Sequence, residues 1–230
     1  MTRVLAPMHM LAAVVALLVL HGPAPAASEE APAVEAAAGE AAQVVPRTRW
    51  EHRKGHAGWN NGALQALRAH GKALVQMVPE DIAFWCPGYR AQDDKRRRHF
   101  WVGFLSTLAR YESTFRANAV GGGNRWFGLL QIWPPTARNH ECRARDGDAL
   151  KNGADNLSCA IRIMAETVAR DGVIHGHSGR WLGVSADWGP LRSAAKRREM
   201  AAWLKEQRYC SEPQREQSQI DPARETAARK

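Results

Sequence analysis

The chain has 230 residues, a formal net charge of +9 and four cysteines. That length allows one ordinary domain plus extensions, with enough chain for a real core. The basic balance suits an acidic polymer or surface as partner. The charge is spread along the chain and no nucleic-acid fold motif occurs, so nucleic acid is not the expected partner.

Met1 to Ala27 reads as a secretory signal peptide. Arg3 gives the positive start, and Met10 to Leu20 is an apolar run too short to span a bilayer. Ala24-Pro25-Ala26 offers a small-residue cleavage site, so the mature chain is expected to begin near Ala27 or Ser28. An uncleaved anchor is the alternative. The location that follows is periplasmic or secreted, with no membrane span after cleavage.

Residues 28–62 are expected to form a disordered, then basic, linker. Ser28 to Pro46 is Ala, Glu and Pro with few large apolar residues, too few to offset the entropy of ordering. Arg47 to Asn61 is basic and carries Trp50 and Trp59, and is read as a solvated arm. The folded domain is expected over 63–210, with its core over about 82–210. Leu64, Leu67, Leu74, Val75 and Val78 suggest one amphipathic helix from Ala63 to Val78, ended by Pro79.

Asp94 is the expected cap of a helix running to Glu112. Trp101, Phe104, Leu105 and Leu108 recur at steps of three and four, the apolar face of a helix. Glu112 continues that stripe one turn further. A carboxylate there meets apolar neighbours and the negative end of the helix dipole, and both raise its pKa. A glutamic acid that keeps its proton near neutral pH can act as a general acid. The plainer alternative is a helix-terminal Glu that escapes to water.

Gly121-Gly122-Gly123 permits positive φ, and a loop-plus-strand passage is expected there. It is no phosphate loop, because no Gly-Lys-Ser/Thr follows. Thr136 to Arg145 is expected to hold a short helix. Asp155 or Asn156 is the expected cap of a helix with stripe Leu157, Ile161, Met164 and Val168, closing near Gly172. His175-Gly176-His177 lacks a third ligand nearby and reads as a polar loop, so no metal is expected. Ala194 to Arg208 is a last helix, and 211–230 a charged, apolar-poor tail.

Cysteines in an exported chain suggest disulfides. Four cysteines allow three pairings. Cys142–Cys159 with Cys86–Cys210 is the favoured one. The first ties a short helix to its successor, and the second ties the two ends of the domain.

Glu112-Ser113-Thr114-Phe115, Gly128-Leu129-Leu130-Gln131-Ile132 and Asn156-Leu157 occur in that order. Together they resemble the signature of the lysozyme-like lytic transglycosylase domain of bacteria, over roughly Ile82 to Cys210. The resemblance implies a mainly α fold: a lysozyme-like α+β two-lobed domain with a central cleft. It implies cleavage of the β-1,4 bond between N-acetylmuramic acid and N-acetylglucosamine in peptidoglycan, without cofactor. Glu112 would be the single acid and base, and the product a 1,6-anhydro sugar. Ser113 and Gln131 would bond the sugar or fix Glu112, and Gly128 and Leu129 would bring backbone close to it. Asn156, Trp126, Trp133, Trp188 and Tyr111 complete the expected substrate surface. The expected partners are peptidoglycan glycan strands and, beyond them, cell-envelope machinery; a monomer is expected.

One departure from the family pattern stands out. Where a late Tyr is usual, this chain reads Ser185-Ala186-Asp187-Trp188-Gly189-Pro190. Asp187 keeps a hydrolytic lysozyme with a second carboxylate in view. A catalytically silent wall-binding protein is the third class.

Overall fold

The computed structural model describes residues 45–211. The signal-peptide reading, the Ala/Glu/Pro linker up to residue 44 and the tail from residue 212 lie outside the described residues.

The fold is mainly helical and lysozyme-like, as the resemblance implies. Helices α1 (His56–Arg68), α2 (Lys72–Gln76), α3 (Ile82–Trp85) and α4 (Asp94–Glu112) come first. Strands β1 (Val120–Gly121) and β2 (Trp126–Phe127) form a small antiparallel pair. Helices α5 (Pro134–Asn139) and α6 (Gly153–Asp171) follow, then antiparallel strands β3 (His175–His177) and β4 (Trp181–Gly183), then α7 (Ala194–Lys205).

Helix α4 is the axis of the domain. Asp93, not Asp94, caps it: the Asp93 carboxylate accepts from the Arg96 N–H at 2.8 Å. The expected stripe is widened to the whole circumference, because every residue from His99 to Ala109 is buried. A helix apolar on all sides belongs in the core, and here α1, α2 and α7 pack around it. Trp85, Phe100, Trp101 and Phe104 meet edge to face beside it.

Helix α6 packs along α1. Its stripe Leu157, Ile161, Met164 and Val168 is buried, and Gly172 closes it at φ 73°, both as expected. Its cap is Asn152, whose side chain accepts from the N–H groups of Ala154 and Asp155 at 3.0 and 3.2 Å. Asp155 and Asn156 fall inside the helix instead, where Asn156 has another task.

Two further expectations are corrected. The single helix over 63–78 is two helices, broken at Ala69–Gly71. Gly71 presses on Ile161 of α6, where a side chain would collide, so the chain turns there to follow the neighbouring helix. The basic arm before residue 63 is no solvated linker. Trp50 has no exposure, its indole N–H donates to Asn60 at 2.8 Å, and its ring meets Trp59 at 5.8 Å. Burying two indoles outweighs the arm's charges, which stay at the surface. Residues 45–62 thus pack with the domain, and α1 begins at His56.

Both favoured disulfides are formed, Cys86–Cys210 and Cys142–Cys159. The first joins the turn after α3 to the segment after α7, where the Gly88 N–H also donates to the Cys210 carbonyl at 3.1 Å. No helix of the described residues is long and apolar enough to cross a membrane.

Candidate active site

Helix α4 delivers Glu112 at its last residue. The chain then leaves abruptly. Thr114 and Phe115 adopt left-handed backbone at φ 52° and 60°, which L residues rarely do without surrounding support. Ser113 supplies part of it: its hydroxyl donates to the Ala109 carbonyl at 3.3 Å and accepts from the Arg116 N–H at 3.2 Å. The Phe115 ring is buried and holds the turn to the core.

Glu112 itself is half-buried. Burial pushes its pKa from the ordinary 4.5 up to about 7, and the nearby Lys196 ammonium pulls the other way. Among the described residues no hydrogen bond stabilises its charged form. The carboxyl therefore carries its proton close to neutral pH, the state from which a general acid can act.

The second part of the site is the turn Gly128–Gln131. Phe127 and Ile132 exchange backbone hydrogen bonds at 3.0 and 2.9 Å across its base. The buried side chain of Asn156 fills its inside. It accepts from the Leu130 N–H at 2.9 Å and donates to the Phe127 and Leu150 carbonyls, each at 3.0 Å. Gly128 has φ 82°, and a Cβ there would collide with the Leu150 carbonyl and the Asn156 amide. Trp188 adds an indole N–H to the Leu130 carbonyl at 2.9 Å.

These contacts show what several of the expected site residues do within the fold. Asn156, Leu129, Ser113 and Trp188 are buried. Asn156 and Trp188 are clamps on the turn, and Ser113 ends the helix. The Asn156 clamp by itself requires a glycine at 128. The Gln131 amide donates to the Ala119 and Gly128 carbonyls at 3.3 and 2.9 Å, so its N–H groups hold the loop. Each polar group is bonded to backbone because the turn's own amides, once buried, must be satisfied.

Two expected residues stay accessible. Trp126 is exposed, with the Arg125 guanidinium 5.0 Å over its ring. Trp133 is exposed as well. Tyr111 is half-buried, and its hydroxyl donates to the Glu199 carboxylate.

Asp187 has a different setting from Glu112. It is open to water but crowded by protein. That crowding raises its pKa, while His140, Arg170 and Arg192 draw it down. The charge that acts on Glu112 is Lys196.

Sequence reasoning missed the partners that α7 supplies. Glu199 accepts from Tyr111, Arg49 and Arg110, tying α7 to the end of α4 and to the N-terminal arm. Lys196 lies one turn earlier, 5.1 Å over the Tyr111 ring. The spacing of Lys196 and Glu199 puts them on one helix face, but no local signal says which helix that face meets.

His175 and His177 lie on β3, and the His175 Nδ1 sits 3.1 Å from the Ser185 hydroxyl. Among the described residues no cluster of three or more His, Cys, Asp or Glu is placed to hold a metal.

Residues 90–182 match the family Transglycosylase SLT domain. Three solved structures of DslA are similar, each with a TM-score of 0.65 and 27% identity. The wild-type form covers 72% of this chain and 98% of its own; two mutants, each with a Glu replaced by Gln, cover 74% and 99%. No curated protein sequence matches the chain.

Proposed function

From a chain that carries a lysozyme-like lytic transglycosylase domain, we propose that this protein cleaves the β-1,4 MurNAc-GlcNAc bond of peptidoglycan without water. Glu112 is the acid and then the base. In the first step its carboxyl protonates the glycosidic oxygen as the bond to the anomeric carbon breaks. The resulting carboxylate then takes the proton of the muramic O6 hydroxyl, and that oxygen bonds to the same anomeric carbon. The product is a 1,6-anhydro-muropeptide, and the enzyme ends with its proton restored. The substrate supplies its own nucleophile at high effective molarity, so a second protein carboxylate is not needed.

The observation that carries this reading is the half-buried Glu112 carboxyl with its pKa near 7. One group must donate and then accept a proton, and a pKa near the working pH serves both steps. The turn held by Asn156 and the exposed Trp126 beside it are the proposed sugar-facing surface. The two disulfides fit a protein that works outside the cytoplasm, in the periplasm or secreted.

A second reading rests on Asp187, whose raised pKa marks a second unusual carboxyl. With Asp187 directing a water, the domain would be a hydrolytic lysozyme. Digestion of purified sacculi followed by mass spectrometry separates the two: anhydro ends for the transglycosylase, free reducing ends for the hydrolase.

A further inference from the structure

The N-terminal arm, the turn after α4 and the approach to α6 enclose a concavity of about 420 Å³. It is lined by His52, Arg53, Lys54, Trp59, Phe115, Arg116, Ala117, Asn118 and Lys151, four of them formally cationic and none acidic. The cations come from three separate stretches of chain. Arg53, Lys54 and Arg116 form no ion pair among the described residues, while Lys151 pairs with Asp148 at 2.9 Å.

A second feature, next in sequence to that wall, favours anions. Helix α1 opens at Gly55–His56 with no side-chain cap and no acidic residue in its first turn. The His56 N–H donates to the Arg53 carbonyl at 3.2 Å, so what the helix start adds beside Arg53 and Lys54 is the positive end of its dipole. Cations converging from three stretches on one concave wall suit an oxyanion ligand. The Phe115 and Trp59 rings add apolar surface, with His52 edge-on to Phe115 at 5.3 Å.

The site also has a fixed relation to the acid. Phe115 stands three residues beyond Glu112, so the pocket's rim begins within roughly 11 Å of it along the chain. A glycan strand in reaction would lay its next peptide stem within that reach.

We propose that this basic pocket binds the carboxylates of the peptide stems carried by the glycan strand, and so selects stem-bearing peptidoglycan over bare glycan. The inference rests on the transglycosylase reading for its substrate. The pocket reads charge on the stem, while Glu112 and the turn 128–131 act on the sugar.

The test uses full-length protein with Glu112→Gln, which holds strands without turning them over. Its affinity is measured for a short MurNAc-GlcNAc oligosaccharide with tripeptide stems, for the same sugar after the stems are cut off, and for one with amidated stem carboxylates. Removing or amidating the stems should weaken binding roughly tenfold, as should Arg53→Glu with Lys54→Glu on the stem-bearing sugar. On bare glycan that double variant should bind like its parent, and the charge-conserving Arg53→Lys should keep stem binding. An unchanged melting temperature shows that these substitutions leave the fold intact.

Equal loss on all three ligands, or no effect of stem removal, would overturn the proposal. So would inorganic phosphate that occupies the pocket while stems leave it empty, which would mark a phosphate site. Wild-type digestion keeps the two readings apart. Stem-selective binding without anhydro product sinks the transglycosylase reading alone. Anhydro product formed equally well from both strands, with no stem preference in binding, sinks the stem proposal alone.

Discussion

Lys196 of α7 is the charge that acts on Glu112, opposing the burial that holds its proton. The same ammonium lies 5.1 Å over the ring of Tyr111, the residue just before Glu112. Two helices distant in sequence therefore set the acid's pKa together: α4 by burying it, α7 by placing a positive charge nearby.

Replacing Lys196 with Met should raise the Glu112 pKa further. On the proposed mechanism Glu112 is protonated in the resting protein, so activity should fall as pH rises through about 7. In the Lys196→Met protein that falling limb should move to higher pH, with the fold unchanged. A pH–rate profile on purified sacculi checks it, and a limb that stays in place would disconnect Lys196 from the acid.

The same shift predicts a dependence of stability on pH. A carboxyl raised from 4.5 to about 7 binds its proton more tightly folded than unfolded. Its stability contribution is complete below pH 4.5 and is lost as pH rises through 7. The loss is on the order of 3 kcal/mol. Glu112→Gln cannot ionise, so its melting temperature should match wild type near pH 4.5 and exceed it at pH 8. Parallel melting curves across that range would show that Glu112 is solvated.

Asn156→Ala should be costly because Asn156 lies inside the fold. It would strand the Leu130 N–H and the Phe127 and Leu150 carbonyls. Each buried group left unpaired costs about 1–3 kcal/mol, so a loss of roughly 3 kcal/mol or more is expected. Chemical denaturation measures it. Activity should fall along with stability, because the turn 128–131 loses its clamp.

The two disulfides should differ in weight. Cys86–Cys210 closes a loop of 124 residues and Cys142–Cys159 one of 17. The chain-entropy model gives about 5 and 3 kcal/mol respectively. Paired Cys→Ala substitutions, compared by denaturant midpoint, should rank in that order.

Much of this was legible in the sequence, for a definable reason. Helix α4 announced itself through Trp101, Phe104, Leu105 and Leu108, because helical spacing is local. The apolar stripe also carried the argument for Glu112, and its raised pKa follows from the same burial. The favoured cysteine pairs were read correctly. What local pattern could not convey was which polar groups are consumed by the fold. Asn156, Ser113 and Gln131 stand in a motif, yet their hydrogen bonds go to backbone. Trp50 was read with its basic neighbours as a solvated arm, but its indole is buried, bonded to Asn60 and packed on Trp59, and the Arg49 N–H beside it donates to Ser106 of α4. The pocket at His52–Lys54 and Arg116 exists only once the arm is folded onto the turn after α4.

The most direct test of the central claim is mass spectrometry of muropeptides released from purified sacculi by wild type and by Glu112→Gln. General acid–base help supplies about 10²–10⁴-fold, and with one carboxyl serving both steps the loss should lie at the upper end. Wild type should release 1,6-anhydro-muropeptides, and a normally melting Glu112→Gln protein should release almost none. Anhydro products from Glu112→Gln at a rate near wild type would contradict the account and make Asp187 the next residue to replace.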